Sequence, residues 1–244
     1  MYVNTRDKAI VPALLNEGVW EKYETELIHS LIKPGDIVVD IGANIGYYTL
    51  IVAKLTGRSG KVYSFEPEPN NFQLLSKNIN VNGYSNCTPI QKALSNKKGQ
   101  MKLFLNSTNL GAHSFIDDTS NRRSGEVNVD TIPLDVYFGS QVKSNKIDFI
   151  KMDAEGAEGL VISGAKTLLK ENDLKILMEF WPTGLRKLGT EPLQMLKELE
   201  GFGFKIKLLD EKNCRMEEKS LEDIIEYCDI TLKGEYEVNL FLEK

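Results

Sequence analysis

Cysteine, histidine and tryptophan are scarce in this sequence of 244 residues, which contains three, two and two of them. The cysteines, Cys87, Cys214 and Cys228, are odd in number and far apart, which excludes a dense disulfide scaffold and a zinc site with the usual ligand spacing. Widely spaced cysteines are typical of reduced thiols, and we expect a cytoplasmic protein.

Long apolar segments are absent as well. The most apolar stretch, residues 37–53, is interrupted by polar and glycine positions, so no membrane span is expected. The first eight residues end in charged side chains and contain no apolar signal segment. The net charge of −5 argues against general binding to nucleic acids, because phosphate neutralisation dominates that binding. We therefore expect neither a membrane span nor a nucleic-acid partner.

The glycine fingerprint of dinucleotide-binding folds is also missing. Residues 37–41 are rich in β-branched side chains and predict a buried strand, after which Gly42 and Gly46 flank a tight turn and a helical pattern begins. A dinucleotide site needs glycines at the third and sixth positions counted from Gly42, where this chain has Asn44 and Tyr47. Side chains there would obstruct a pyrophosphate. S-adenosyl-L-methionine (SAM), which has an adenosine but no phosphate, fits this turn.

Two acids stand where such a ligand needs hydrogen-bond acceptors. Asp40 lies at the end of the first strand and can accept from the SAM ammonium group, directly or through water, while the turn amides bind the SAM carboxylate. Glu66 ends the second strand, 20 positions after Gly46, and can accept from both hydroxyls of a ribose. The alternatives are that Asp40 only caps the next helix and that Glu66 is a solvated acid at a strand end.

Strands and helices alternate along the chain, which predicts an α/β fold. Residues 96–132, after the third strand, alternate in polarity around turn-forming residues, so we expect a β-rich insertion over the mouth of the site. Residues 1–33 contain an amphipathic helical pattern and would cover the sheet or act as a lid. Further on, one helix is expected to run to about Lys170. No linker is visible, and we predict a single domain over residues 1–244 with its core at 34–244.

The candidates for a catalytic proton acceptor are His113, Asp153 and Glu179, with Glu155 a weaker one. His113 lies in a polar loop, where a structural or solvated role is the alternative. Asp153 follows the fourth strand of the main sheet and Glu179 the fifth, whereas Glu155 can simply favour the positive end of the next helix. The acids of residues 153–158 would permit a divalent metal, but too few ligands are readable and we expect none.

Seven motifs match one family in both order and spacing, and they span roughly residues 33–182. They are KPGD (33–36), VDIGANIGYY (39–48), FEPEPNNF (65–72), ALS (93–95), TIPLD (131–135), IDFIKMDAEGAE (147–158) and LMEFWP (177–182). With these motifs the chain resembles the FkbM-type SAM-dependent methyltransferases, and the set is far more specific than any single motif.

The resemblance implies a Rossmann-like class I methyltransferase fold, with a seven-stranded, mostly parallel sheet, one antiparallel strand and helices on both faces. It implies methyl transfer from SAM, usually to the oxygen of a sugar or natural-product hydroxyl and less often to nitrogen, by in-line displacement at the sulfonium methyl. Cofactor contacts carry over to six matching positions, namely Asp40, Gly42, Asn44, Gly46, Glu66 and Asp153.

One position departs from the family pattern. Trp181 stands where the family often has a histidine after the fifth strand, so this chain must use another group or another substrate if that histidine takes part in the chemistry. Two other readings stay open. One is an NAD-dependent oxidoreductase or epimerase, which the missing glycines disfavour, and the other is a SAM-binding module without catalysis, for which Trp181 is the warning. The expected partner is a small-molecule acceptor.

Overall fold

The chain divides into two compact units. Unit 1 comprises residues 1–93 and 100–130, and unit 2 comprises residues 94–99 and 131–244. The single domain and the lid at residues 1–33 stay predictions. The computed structural model describes residues 1–117, 123–139, 146–231 and 237–244.

Helices and strands alternate as expected for an α/β protein. The helices are α1 (Ile10–Asn16), α2 (Lys22–Leu31), α3 (Tyr47–Thr56), α4 (Pro69–Asn82), α5 (Leu134–Phe138), α6 (Glu158–Ser163), α7 (Lys166–Glu171), α8 (Pro182–Lys187), α9 (Pro192–Gly201) and α10 (Leu221–Glu226). The strands are β1 (Ile37–Ile41), β2 (Lys61–Phe65), β3 (Cys87–Ile90), β4 (Ala93–Leu94), β5 (Gly99–Asn106), β6 (Arg123–Ile132), β7 (Phe149–Met152), β8 (Lys175–Phe180), β9 (Lys205–Asp210), β10 (Arg215–Glu218) and β11 (Val238–Glu243). A π-helical turn, Tyr227–Thr231, continues α10.

The sheet of unit 1 is built from β1, β2 and β3, which are parallel, with β2 in the middle. Helix α3 packs against β1 and β2, and α4 packs against β3. Val38 and Val39, which point to opposite faces of β1, are both fully buried, so the β-branched run covers the sheet on two sides. The pairing of Ile41 with Phe65 brings the carboxyl ends of β1 and β2 side by side. Asp40 and Glu66 therefore meet at the same sheet edge.

The β-rich insertion predicted after β3 is present. Strands β5 and β6 are neighbours in a separate small sheet, and Leu103 and Val129 bury against each other in a cluster with Ala93. An isolated bridge between Phe104 and Ser114 extends this arrangement into the loop that follows β5. Residues 118–122 lie outside the described ranges. The position of the insertion over the mouth of the site stays a prediction.

The sheet of unit 2 has the order β10-β9-β11-β8-β7. Strands β7 and β8 are parallel, and β11 runs antiparallel to both β8 and β9, so β11 is the reversed strand that the resemblance implied. Strand β10 was not predicted. It pairs antiparallel with β9 because residues 211–214 form a tight turn that folds the chain back on itself. Within the described part of the chain, the main-sheet strands therefore number three in unit 1 and five in unit 2, against the seven expected.

Two boundaries in unit 2 differ from the sequence expectation. Glu179 lies inside β8 and not after it, because β11 continues the pairing and places Asn239 opposite Glu179. The helix expected to run to about Lys170 is split into α6 and α7. Gly164 lies at the break, where an added Cβ would be 2.1 Å from Ser95 O. The close approach of this backbone explains the interruption.

All three cysteines are free thiols, in agreement with the expectation from their spacing. Burial raises the pKa of both Cys87 and Cys228 to about 12, so neither forms a thiolate readily at neutral pH. Across the described ranges, no helix is both long enough and apolar enough to cross a membrane.

Candidate functional site

The turn between β1 and α3 uses left-handed backbone at three positions. Gly42, Asn44 and Gly46 have φ angles of 76°, 48° and 93°. Glycine takes such angles without steric cost, and asparagine is one of the few other residues that tolerate them. A Cβ added at Gly46 would lie 2.8 Å from Leu75 Cδ1, so the Leu75 side chain of α4 would have to shift to admit it. The two glycines therefore fix the shape of the turn and its packing.

Glu66 holds this turn against the end of β2. Its Oε2 accepts from Asn44 N at 2.8 Å, and its Oε1 accepts from Glu68 N at 2.8 Å. The side chain is only 5% exposed, and the two backbone donors fix the orientation of its carboxylate. Each carboxylate oxygen has two acceptor directions, so this anchoring is compatible with further hydroxyl donors. The predicted proximity of Glu66 to the glycine turn is confirmed.

The backbone amides of the turn are satisfied within the protein. Gly42 N and Ala43 N both donate to Phe65 O at 3.0 Å, and Gly46 N donates to Ala43 O at 2.8 Å. Asn44 N donates to the carboxylate described above. The expectation that the turn amides bind the SAM carboxylate is therefore wrong for these four amides, because the chain folds back onto β2 and supplies their acceptors itself.

Asp40 is buried at the end of β1, with 1% of its surface exposed. Its Oδ2 accepts from the Thr49 hydroxyl at 2.5 Å, and Ser64 Oγ lies 3.0 Å from the same hydroxyl. These contacts tie β1 and β2 to the first turn of α3. Asp40 thus contacts the next helix through the side chain of Thr49. Its contact with the SAM ammonium group stays a prediction.

His113 lies in the loop between β5 and β6. Its Nδ1 accepts from Asn106 N at 3.0 Å, so the neutral imidazole carries its proton on Nε2. Burial lowers the pKa of His113, and the charges of Glu68 and Asp7 oppose that shift. At neutral pH the imidazole is therefore uncharged, and Nε2 is a hydrogen-bond donor. Proton acceptance at Nδ1 requires that the bond from Asn106 breaks.

Hydrogen bonds to the N-terminal segment and to α4, both in unit 1, hold the loop that contains His113. Leu110 N donates to Asp7 Oδ2 at 2.8 Å, and Leu110 O accepts from Asn71 Nδ2 at 2.8 Å. Lys8 N donates to Thr108 O at 2.8 Å. These bonds fix residues 106–114 between the N-terminal segment and α4.

Three half-buried carboxylates come together in unit 2. One oxygen each of Asp153, Glu155 and Glu179 lies within 4.8 Å of the others. Asp153 directly follows β7 and Glu179 lies in β8, and these strands are parallel neighbours, so their carboxyl ends meet. Glu155 completes the set from the loop after β7, where its φ of 51° is left-handed. We call these three residues the carboxylate cluster.

Burial and the repulsion between negative charges raise the pKa values of the carboxyl groups in this region. Burial raises the pKa of Glu155 and of Glu179 well above the usual range, and the negative charge of Asp153 raises both further. Burial also raises the pKa of Glu158 to about 7, against the hydrogen bonds it accepts. Lys151 Nζ lies 2.8 Å from Asp153 Oδ2 and partly offsets the negative charge. Protonation of Glu155 and Glu179 is therefore easier than protonation of an exposed glutamate.

Two buried side chains beneath the cluster were missed by sequence reasoning. Lys151 is 4% exposed. It lies two residues before Asp153 on an extended segment, so both side chains point to the same face. This period-two spacing could have identified Lys151 from the sequence. Glu158 is fully buried, and its Oε1 accepts from Ala154 N at 2.9 Å and from Gly156 N at 3.2 Å. The sequence of residues 153–158 did not indicate which of its acidic side chains would be buried.

A family model decides to which class of protein this chain belongs. The model of the FkbM methyltransferase domain matches residues 40–206, which is more than half of the chain. The chain belongs to the FkbM methyltransferase family. It is 26% identical over 198 residues to Methyltransferase sdnD of Sordaria araneosa, covering 68% of this chain and 73% of that protein. It is also 26% identical over 170 residues to Methyltransferase 1 of Beauveria bassiana, covering 59% and 68%.

Solved structures show the same fold. The chain aligns with an FkbM methyltransferase from Methylobacillus flagellatus with a TM-score of 0.52 and 17% identity, covering 89% of this chain and 50% of that one. It aligns with the SAM-dependent O-methyltransferase TM0748 of Thermotoga maritima with a TM-score of 0.50 and 13% identity, covering 95% and 69%. The chain thus spans half the length of the first of these. The Rossmann-like class I methyltransferase fold predicted from the sequence is confirmed.

The turn of this FkbM methyltransferase fits the SAM that members of the family use as methyl donor. Asn44 Oδ1 is buried and has no hydrogen-bond partner within the described residues. A buried acceptor left without a donor costs about 1–3 kcal/mol, and a hydroxyl or ammonium group of a bound ligand would remove that cost. The side chain of Asn44 also stands where a dinucleotide fold needs bare backbone. The turn therefore suits a ligand with polar donors and no pyrophosphate.

Trp181, the departure from the FkbM pattern, precedes α8 and is packed in place. A Cβ added at Gly184 would lie 2.2 Å from Trp181 Cε3, so the indole lies directly against this glycine. Lys187 Nζ is 5.7 Å from the centre of the Trp181 ring. An indole only donates hydrogen bonds and accepts no proton at neutral pH, so it cannot replace a histidine base.

The predicted site residues form separate groups in the two units. Unit 1 brings together the five predicted cofactor contacts around the turn, namely Asp40, Gly42, Asn44, Gly46 and Glu66. It also holds His113 in the loop after β5. Unit 2 brings Asp153 and Glu179 together and adds Glu155 to them. The roles of all these residues stay predictions.

Proposed function

We propose that this FkbM methyltransferase transfers a methyl group from SAM to an oxygen, less readily to a nitrogen, of a small-molecule acceptor such as a sugar or a natural-product hydroxyl. The observation that carries the proposal is the carboxylate cluster with its raised pKa values. A hydroxyl nucleophile must lose its proton, and a base whose pKa lies near the working pH accepts it most effectively. Burial moves the pKa values of Glu155 and Glu179 upward, in the direction of that range.

The residues of unit 1 provide the cofactor contacts in this proposal. The anchored carboxylate of Glu66 accepts from the ribose hydroxyls, and Asp40 accepts from the ammonium group directly or through water. Asn44 accepts one further donor through Oδ1, and Gly42 and Gly46 keep the turn in shape. When bound, SAM supplies an electrophilic methyl group. The protein supplies orientation and removes water from the reacting atoms.

The proposed catalytic groups are Asp153, Glu179 and His113. Asp153 is also proposed as a cofactor contact on the resemblance alone. Glu179 has the stronger case as a proton acceptor, because burial and neighbouring charge both raise its pKa. His113 has the weaker case, because its only lone pair accepts from Asn106 N.

The alternative of a SAM-binding module without catalysis is tested by turnover. We expect the purified protein to transfer labelled methyl groups from SAM to some member of a panel of sugars and polyketide hydroxyl compounds. Amines and bulk RNA form the control arms. Label that appears only in RNA or only in amines would contradict the proposed acceptor class. SAM binding without label transfer to any of the arms would support the non-catalytic module instead.

His113→Ala is expected to lower turnover by about 100-fold or more, the range for a lost general base, and to leave SAM affinity nearly unchanged. Steady-state kinetics and calorimetry measure the two effects separately. His113→Asn is the matched variant, because its Oδ1 can replace Nδ1 as the acceptor for Asn106 N but cannot take up a proton. We expect it to be as slow as the alanine variant. Turnover restored by asparagine would show that His113 holds the loop and is not the base.

A further inference from the structure

The spacing of the carboxylate cluster matches that of ligands on one ion. One oxygen each of Asp153, Glu155 and Glu179 lies within 4.8 Å of the other two. Two oxygens on opposite sides of a cation are separated by twice the metal–oxygen distance, which is roughly 4 Å for Mg²⁺ and 5 Å for Ca²⁺. The three side chains can therefore reach a single ion without a large movement of the backbone.

Several negative charges act on the carboxylate cluster. Glu158 and Glu237 both act on Glu179 with negative charge, in addition to the members of the cluster. The positive charge of Lys151 acts on Glu155 in the opposite sense. It lies beside Asp153 and offsets one of these charges. Like charges this close repel each other, and a divalent cation is the partner that would offset more than one of them.

A second, independent observation comes from Glu158, which is fully buried. Its Oε1 binds Ala154 N and Gly156 N, so its carboxylate lies against the loop that carries Asp153 and Glu155. Its Oε2 is buried and has no hydrogen-bond partner in the part of the chain that the structure describes. A buried carboxylate oxygen without a donor is costly, and its charge reaches both Glu155 and Glu179. Glu158 thus adds an unsatisfied oxygen to the same charged region.

The donor set determines the class of ion. The three cluster residues offer carboxylate oxygens and neither sulfur nor imidazole nitrogen. Such hard ligands suit Mg²⁺, Mn²⁺ or Ca²⁺ and do not favour zinc or copper. We propose that Asp153, Glu155 and Glu179 form a binding site for one divalent cation of the Mg²⁺ or Mn²⁺ class.

The proposal differs from the sequence expectation of no metal, because Glu179 could not be placed beside Asp153 and Glu155 before the pairing of β7 with β8 was known. Binding of the ion does not depend on methyl transfer. A bound cation would also lower the pKa of a hydroxyl that contacts it, and only this consequence rests on the proposed function.

The test is a titration of the full chain with Mn²⁺ alone, in which electron paramagnetic resonance measures the free ion. It is done at about pH 8, where protons compete less with the metal ion for the carboxylates. We expect one Mn²⁺ per chain with a Kd below about 1 mM, the range of modest oxygen-ligand sites. Asp153→Asn and Glu179→Gln should each weaken binding by at least about tenfold. Glu200→Gln, which removes an equal charge from an exposed position of α9, should bind as the parent does.

A thermal measurement gives a second readout that does not require activity. A ligand that binds the native state raises the Tm. Mg²⁺ should therefore raise the Tm of the parent protein and of Glu200→Gln. It should leave the Tm of Glu179→Gln unchanged, because that variant lacks one of the proposed ligands. Glu179→Gln replaces a carboxyl whose pKa is raised by a neutral side chain of nearly the same shape, so without metal it should be at least as stable as the parent. Asp153→Asn also removes the partner of the buried Lys151 and should be less stable than the parent, so the thermal comparison uses Glu179→Gln. Absence of Mn²⁺ binding up to about 5 mM, or equal binding by the cluster variants, would overturn the proposal.

Discussion

Replacing Glu66 with alanine should abolish detectable SAM binding in calorimetry. The carboxylate is proposed to accept from both ribose hydroxyls, and each hydrogen bond to a charged group contributes about 1.5–3 kcal/mol. Loss of two such bonds is at least roughly 3 kcal/mol, or about 100-fold in Kd. The substitution also leaves Asn44 N and Glu68 N without their acceptor, which loosens the turn itself. Both effects act in the same direction.

The controls for this variant separate a lost contact from a lost fold. Glu66→Gln keeps one carbonyl oxygen, so it should bind SAM more weakly than the parent but better than the alanine variant. Glu68→Ala removes a buried carboxylate two residues further on, which caps α4 by accepting from Asn71 N at 2.7 Å. It should cost about 1 kcal/mol of stability and leave SAM affinity within a fewfold range. Unchanged affinity in Glu66→Ala would refute the ribose assignment.

The first part of the site could be predicted from the sequence because it depends on local rules. Gly42, Asn44 and Gly46 indicate a tight turn, and the interval from Gly46 to Glu66 matches the length of one helix and the strand that follows it. The use of the turn amides was predicted wrongly for a physical reason. Which acceptors lie opposite a backbone amide depends on how the chain folds back, and here Phe65 O and Glu66 take that role.

The second part of the site could not be assembled from the sequence alone. The extension of β8 through Glu179 depends on its pairing with β11, a strand that lies far away in the sequence. The inward turn of Glu158 depends on Ala154 N and Gly156 N, which only the folded loop presents as donors. Strand pairing between distant segments and hydrogen bonds from backbone donors produce no periodic pattern in the sequence. The sequence therefore identified the acidic residues as candidates but did not predict which of their side chains lie together.

Gly164→Ala should lower the stability of the folded chain by about 3 kcal/mol or more, the upper range for overpacking. A Cβ at this position would lie 2.1 Å from Ser95 O and 3.2 Å from Pro133 Cα, and both atoms belong to the backbone. Gly164 cannot move away easily, because its carbonyl accepts from Asp135 N and its amide donates back into α6. For a chain of this size the change corresponds to a Tm lower by roughly 6–12 °C, measured by calorimetry or circular dichroism.

Gly201→Ala is the matched control, since it adds the same methyl group at the end of α9. No atom lies within 4 Å of the Cβ that it would add. Its Tm should be unchanged or slightly raised, because alanine has less conformational freedom to lose in the unfolded chain. Gly164 has a φ that other residues also adopt, so the expected loss there comes from the steric contact and not from backbone strain. Equal Tm values for the two variants would show that Ser95 yields to the methyl group and that the break between α6 and α7 has another cause.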